Sequence, residues 1–336
     1  MKEISLVTGA NGHLGYNLCK LLIDKGEHVI ATYRNPKNKQ ILIELGCETM
    51  QLDITDKSSM LTAFKKVHNI YAVAASFKMW SKNPKKDIYE NNVEGTRKLF
   101  EAANETEIKN IVYVSSVAAL NFNKLPAKEI NGYNLDRRNW YYNSKNDSDK
   151  LALQLGKKYN IRTVLILPAA MIGNKAHHLS YSNRLVKQIL NGEMVADTNI
   201  TLNWIDVKDV AKGAYAAMKK GKDGERYILA NEKHTSIQES VSIAANEFPE
   251  LNLKTPPKIP KVLLYIIAFF MKIGSSVTGK EPLLQKEYID MFYGLKQDYD
   301  ISKAKQELNF NPKSSKKALI EALHYIKNEW NFKKSE

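Results

Sequence analysis

Apolar residues follow two rhythms along this chain. Short continuous runs alternate with stretches in which apolar positions recur every three or four residues. Ile4-Ser5-Leu6-Val7 is the first run, and Leu14, Leu18, Leu21 and Leu22 follow it at helical spacing. The same rhythm predicts strands at 28–33, 49–52, 70–75, 110–114 and 162–167. Between them it predicts helices over 39–45, 57–67, 88–104 and 141–158. Continuous apolar strands joined by helices imply an α/β fold whose parallel sheet is covered on both faces. In such a doubly wound sheet, ligands bind outside the carboxyl ends of the strands.

After Pro168 the alternation fades. Residues 171–203 show little strand character, and Pro256, Pro257 and Pro260 break the pattern again. These parts are assigned to a smaller, mainly helical substrate lobe. The expected division is a dinucleotide-binding domain over 1–168, with 204–230 and 295–330 returning to it, and a lobe made of 169–203 and 231–294. A returning helix is expected over 206–219, with Asp209 as its N-terminal cap.

The chain has 336 residues, 43% of them hydrophobic, which is ample for a globular core. A net charge of +14 raises the question of nucleic acid. Only seven of the 50 basic residues are Arg, and the lysines are spread instead of clustered with aromatics. A solvated lysine surface is expected, with no nucleic-acid partner. Cys19 and Cys47 offer neither metal-ligand spacing nor a disulfide framework. The first strand starts at once, so a cytoplasmic protein without a leader is expected. The apolar run 262–271, between Lys261 and Lys272, is half the length of a membrane span. It reads either as a cap over an apolar pocket or as a helix in weak contact with a membrane surface.

Two motifs carry candidate chemistry. Thr8-Gly9-Ala10-Asn11-Gly12-His13-Leu14-Gly15 links the first strand to the first helix. Glycines let the backbone approach a pyrophosphate, and the N–H groups of the helix start face it. Tyr141-x-x-x-Lys145 places a phenol and an ammonium on one helix face. A nearby cation favours phenolate, which would suit the tyrosine to acid–base work. Ser115 and Ser116 close the apolar strand 110–114, where a serine can bind a substrate oxygen.

Taken together, these pieces resemble the extended short-chain dehydrogenase/reductase superfamily, of the epimerase/dehydratase-like kind with a Rossmann-type domain. Further matches are Asp53-Ile54-Thr55-Asp56, Ala74-Ala75, Asn92-Val93-Glu94-Gly95-Thr96, Pro168 and Val207-Lys208-Asp209-Val210-Ala211. Residues 31–36, Met79-Trp80 and Thr278-Gly279-Lys280-Glu281-Pro282 look most like the dihydroflavonol-reductase and 3β-hydroxysteroid-dehydrogenase branch. The resemblance implies Tyr141 as proton donor or acceptor. Lys145 would hold the nicotinamide ribose and depress the Tyr141 pKa. Ser116 would bind the reacting oxygen, with Ser115 the alternative. It implies a cofactor held by Gly9, Asn11, Gly12, His13, Leu14, Asp53, Ile54, Ala74, Ala75, Lys145 and Pro168. Asn92 would be either structural or part of a proton relay, the structural role being favoured. Ala72 departs from the histidine often found two residues before the paired alanines.

The end of the second strand selects the cofactor. An acidic residue there would bind a ribose 2′-hydroxyl, whereas Arg accommodates a 2′-phosphate. This chain has Arg34, with Lys37 and Lys39 close by. The expectation is an NADP(H)-dependent reductase acting on a small hydrophobic ketone or aldehyde, or on the alcohol in reverse. The alternative is an NAD-dependent nucleotide-sugar epimerase or dehydratase on the same scaffold. Residues 77–80, 171–178 and 288–293 are expected to line the pocket. The family pattern implies a homodimer through the helices after the fourth and fifth strands.

Overall fold

The computed structural model describes residues 3–75, 81, 83–174, 179–194, 196–278, 284 and 286–330. Its first half alternates as the apolar rhythm predicts. β1 (Ile4–Val7), α1 (His13–Asp24), β2 (His28–Tyr33), α2 (Gln40–Glu44), β3 (Glu48–Gln51), α3 (Lys57–Ala63) and β4 (Asn69–Ala72) come first. They are followed by α4 (Asn91–Glu105), β5 (Asn110–Val114), α5 (Trp140–Tyr159) and β6 (Arg162–Pro168). The helix expected over 88–104 is divided in two. A π turn over Lys85–Glu90 runs into α4.

The second half holds more strand than its sequence suggests. β7 (Ala170–Ile172) pairs in parallel with β9 (Trp204–Asp206), and α6 (Tyr181–Leu190) and β8 (Thr201–Leu202) lie between them in the chain. Strands of two or three residues leave too little periodicity to be read from composition. α7 (Val207–Lys220) is capped by Asp206, whose carboxylate accepts from the Lys208 N–H at 2.6 Å. This corrects the assignment of the cap to Asp209, which lies inside the first turn. β10 (Arg226–Leu229) then joins the sheet beside β6. β11 (Thr235–Ser236), α8 (Ile237–Glu247), α9 (Lys261–Thr278), α10 (Lys286–Phe292), α11 (Ser302–Leu308) and α12 (Ser315–Glu329) complete the chain.

The seven-stranded sheet has the order β10-β6-β5-β4-β1-β2-β3, every pair parallel. From β1 the chain winds out to β2 and β3 on one side and returns to β4 on the other. The order therefore reverses between β1 and β4, which opens a crevice at their carboxyl ends. The sheet core includes Leu6, Ile70, Val112 and Leu165, all without exposure. A second cluster is built around Trp204, with Val186, Ile189 and Val241. Of the stretch 295–330, residues Tyr299, Ala304 and Phe310 pack in the sheet core. Leu319, Leu323 and Ile326 of α12 pack in the second cluster. No helix among the described residues is long and apolar enough to cross a membrane. No described group of His, Cys, Asp and Glu is placed to hold a metal ion.

Candidate active site

The turn after β1 is built by backbone contacts. The Thr8 hydroxyl accepts from the N–H groups of Val73 and Ala74, both at 2.9 Å, and so ties the end of β1 to that of β4. Gly9 sits at φ +62°, and a Cβ there would lie 3.1 Å from the Ala74 Cα. The Ala10 N–H donates to Thr32 O and the Gly12 N–H to Gly9 O, each at 2.9 Å. Gly12 is the N-cap of α1, with no side chain to cap it and no acidic residue in the first turn. The first-turn N–H groups and the positive end of the helix dipole are thus left for an anion in the crevice. This cradle fits the pyrophosphate of a dinucleotide. Asn11 and His13 are half-buried beside it, and Leu14 is buried.

His13 serves a second purpose. Its Nε2 is 3.0 Å from Gly173 O, which joins the start of α1 to the segment after β7. Asn17 strengthens that joint by donating to Asn174 O at 3.2 Å. Loss of hydration pushes the His13 imidazole down to about 4, so it stays neutral beside the cradle at ordinary pH.

Arg34 is exposed at the exit of β2, where a 2′-phosphate would arrive. Lys37 is exposed in the turn that follows. Asp53, after β3, turns its carboxylate onto its own loop. It accepts from the Thr55 N–H at 2.8 Å and the Thr55 hydroxyl at 2.7 Å. Partial burial raises its pKa, but those two hydrogen bonds with the charges of Arg34 and Lys98 hold it below the ordinary value. Ile54 packs on Gly95 of α4, where a Cβ would meet its carbonyl oxygen at 3.3 Å. Ala74 is half-buried and Ala75 exposed just beyond β4. Pro168 ends β6, paired with Leu229.

Ser116, Tyr141 and Lys145 converge at the carboxyl ends of β5 and β6. Ser116 is half-buried, and its hydroxyl accepts from the Ala118 N–H at 3.1 Å. It is also a hydrogen-bond partner of the Tyr141 phenol. Tyr141 and Lys145 are 8% and 5% exposed, and the Lys145 Nζ lies 6.0 Å from the Tyr141 ring centre. That Nζ donates to Val114 O at 3.4 Å, which anchors it to the end of β5. Ser115 is buried one residue away. The Asn92 Nδ2 donates to Ser144 Oγ at 3.0 Å and so ties α4 to α5.

The electrostatics differ from the sequence expectation. Burial pushes the Tyr141 phenol up to about 12, with Ser116 acting against it. Loss of hydration dominates where a lowering by Lys145 was expected, and the charge of Asp149 raises the phenol further. Burial pushes Lys145 down to about 8, and the charge of Asp149 works the other way.

Asp149 and Arg226 are site residues that the sequence reading missed. Asp149 has no exposed surface, and its carboxylate pairs with the Arg226 Nη2 at 3.4 Å. The guanidinium stacks 4.2 Å over the Tyr133 ring. Burial raises Asp149 to about 6, opposed by Arg226, Ser115 and Lys145. Tyr141, Lys145 and Asp149 recur every four residues along one face of α5. Extending the Tyr-x-x-x-Lys spacing by one turn would have found Asp149. Nothing in the sequence marks Arg226, which reaches the same place from β10. Among the expected pocket residues, 77–80 and 175–178 lie outside the described residues. Met171 and Tyr293 are half-buried.

The chain is 29% identical to a Synechocystis sp. protein provisionally named dihydroflavonol 4-reductase, over 98% of this chain and 96% of that one. Among solved structures it is similar to gox2253, with a TM-score of 0.83, 27% identity, and coverage of 99% of this chain and 100% of that one. It shares its fold with yeast methylglyoxal/isovaleraldehyde reductase Gre2, solved with NADPH, at a TM-score of 0.75 and 19% identity. That match covers 97% of this chain and 99% of the yeast chain. The model of the NAD dependent epimerase/dehydratase family matches residues 5–230. The chain therefore belongs to the NAD dependent epimerase/dehydratase family, and is an NAD(P)-dependent oxidoreductase of the extended short-chain dehydrogenase/reductase type.

Proposed function

We propose that this protein is an NADPH-dependent reductase of a ketone or aldehyde on a small hydrophobic molecule. The observation that carries the reading is the meeting of Ser116, Tyr141 and Lys145 at the carboxyl end of β5. When bound, the nicotinamide would supply a hydride to the carbonyl carbon. Gly9, Asn11, Gly12, His13 and Leu14 would hold the pyrophosphate. Asp53, Ile54, Ala74 and Ala75 would border the adenine end, Pro168 the nicotinamide end.

Ser116 donates a hydrogen bond to the substrate oxygen and fixes it beside the phenol. A phenol raised to about 12 is protonated at neutral pH. Tyr141 is therefore poised as a donor, and gives its proton to the oxygen as negative charge develops there. Lys145 opposes that charge once Tyr141 is left as phenolate, and its Nζ would also hold the nicotinamide ribose. Arg34 favours the 2′-phosphate, because a guanidinium pairs with two phosphate oxygens at once.

A parallel thermal-shift titration with NADPH, NADP⁺, NADH and NAD⁺ tests the reading, since a ligand of the folded state raises the melting point. The phosphorylated pair is expected to stabilise wild type selectively. Arg34→Ala should weaken NADPH by ~10-fold or more while NADH changes less than about twofold. Equal loss for both cofactors would refute the role of Arg34. NAD(H) retained through purification would move the reading to the epimerase class.

A further inference from the structure

α9 is half-embedded and half-bare. Leu264 and Ala268 are 2% and 4% exposed, and they pack with Ile289 of α10. The opposite face carries Val262, Leu263, Ile266, Phe269, Phe270 and Ile273, between 46% and 70% exposed. At 100° per residue these six fall in one arc about a third of the way round the helix. The arc contains no polar side chain. A soluble surface rarely leaves such a row of large apolar side chains open to water.

The charge around the stripe points to its partner. Residues 251–280 hold five lysines and no acidic residue. Lys254, Lys258 and Lys272 are exposed, while Lys261 lies 3.7 Å from Asp290. A second copy is a poor partner for this face. It would bring like-charged flanks together, and lysine is depleted in protein interfaces. An anionic bilayer satisfies both features. Headgroups meet the lysines, and the acyl boundary takes the apolar arc. The helix is not long and apolar enough to span, so it would lie flat.

We propose that α9 docks the protein on the surface of an anionic lipid bilayer, with the Val262–Ile273 stripe buried at the headgroup boundary. Tyr265 of α9 hydrogen-bonds Asp290 of α10, whose carboxylate lies close enough to Arg138, two residues before α5, to attract its guanidinium. Docking would therefore set the start of α5, which carries Tyr141, near the lipid surface. A carbonyl compound dissolved in the bilayer could reach the site from there.

The test is flotation of the full chain with phosphatidylcholine vesicles, with and without one third phosphatidylglycerol, at about 0.1 M salt. The wild type is expected to float with the anionic vesicles. The Phe269→Asp/Phe270→Asp variant should partition ~10-fold or more weakly at an unchanged melting temperature. Wild type that stays in solution with both vesicle types would overturn the proposal. So would a variant that floats as well as wild type, because the bulk charge of the protein would then explain binding. A wild-type dimer that the variant converts to monomer, without flotation of either, would assign the stripe to self-association instead. None of these readouts needs cofactor or turnover, so they stand apart from the test of the reductase activity.

Discussion

Gly15 is the point at which the cradle has no room to give. A Cβ at this position would sit 2.3 Å from Gly9 O, 2.8 Å from Ala10 Cα and 3.0 Å from Gly9 C. Non-bonded carbon atoms settle at about 3.5–4.0 Å, so Gly15→Ala creates an overlap on the order of 1 Å against three backbone atoms. No rotamer change relieves it. Gly9 O is held by the Gly12 N–H, and Gly9 itself is packed against Ala74. Either α1 moves out or the turn after β1 reopens. Overpacking of this kind costs about 3 kcal/mol, the upper end of the usual range, because the obstacle is backbone. For a chain of this size that corresponds to a fall in Tm of roughly 5 °C. Moving α1 also displaces the N–H groups that would face the pyrophosphate. The NADPH-induced rise in Tm should therefore shrink as Kd weakens by ~10-fold or more. Calorimetry with and without NADPH reads both quantities. A variant within about 1 °C of wild type, with the same NADPH increment, would refute the packing argument and the place of the cofactor together.

Two further outcomes follow from buried titratable groups. His13 titrates near 4 in the folded protein against an ordinary 6.5, so the unfolded chain binds the extra proton between those values. Stability should thus fall as pH drops from 6.5 to 4, by up to about 3 kcal/mol, and His13→Gln should flatten that slope in denaturant titrations. An unchanged slope would show that His13 is hydrated. Asp149 raises a Lys145 that burial has pushed down to about 8. Asp149→Asn should therefore shift the alkaline limb of the kcat/KM profile for reduction to lower pH, by on the order of one unit. It should also cost a few kcal/mol of stability, on the order of 3, by stranding Arg226. A profile that keeps its limb while only Tm falls would reduce Asp149 to a structural partner.

Much of this protein was legible in its sequence, because the informative signals are local. β1, β2 and β5 end where the apolar runs end, since a strand buried on both faces must be apolar along its whole length. The glycine turn is legible because its geometry admits only residues without a side chain at two places. Tyr141 and Lys145 are legible because a helix brings i and i+4 together without outside help. Other features arise only when distant segments meet. β10 and β7 to β9 are too short to announce themselves, and are strands because a neighbour supplies their hydrogen bonds. The capping of α7 by Asp206 instead of Asp209 depended on where β9 stops. The pairing of Asp149 with Arg226 spans 77 positions, and His13 with Gly173 spans 160. The direction of the Tyr141 shift belongs to this second kind. Spacing places an ammonium beside a phenol, but only the closed fold removes water from both, and desolvation then sets the direction of both shifts.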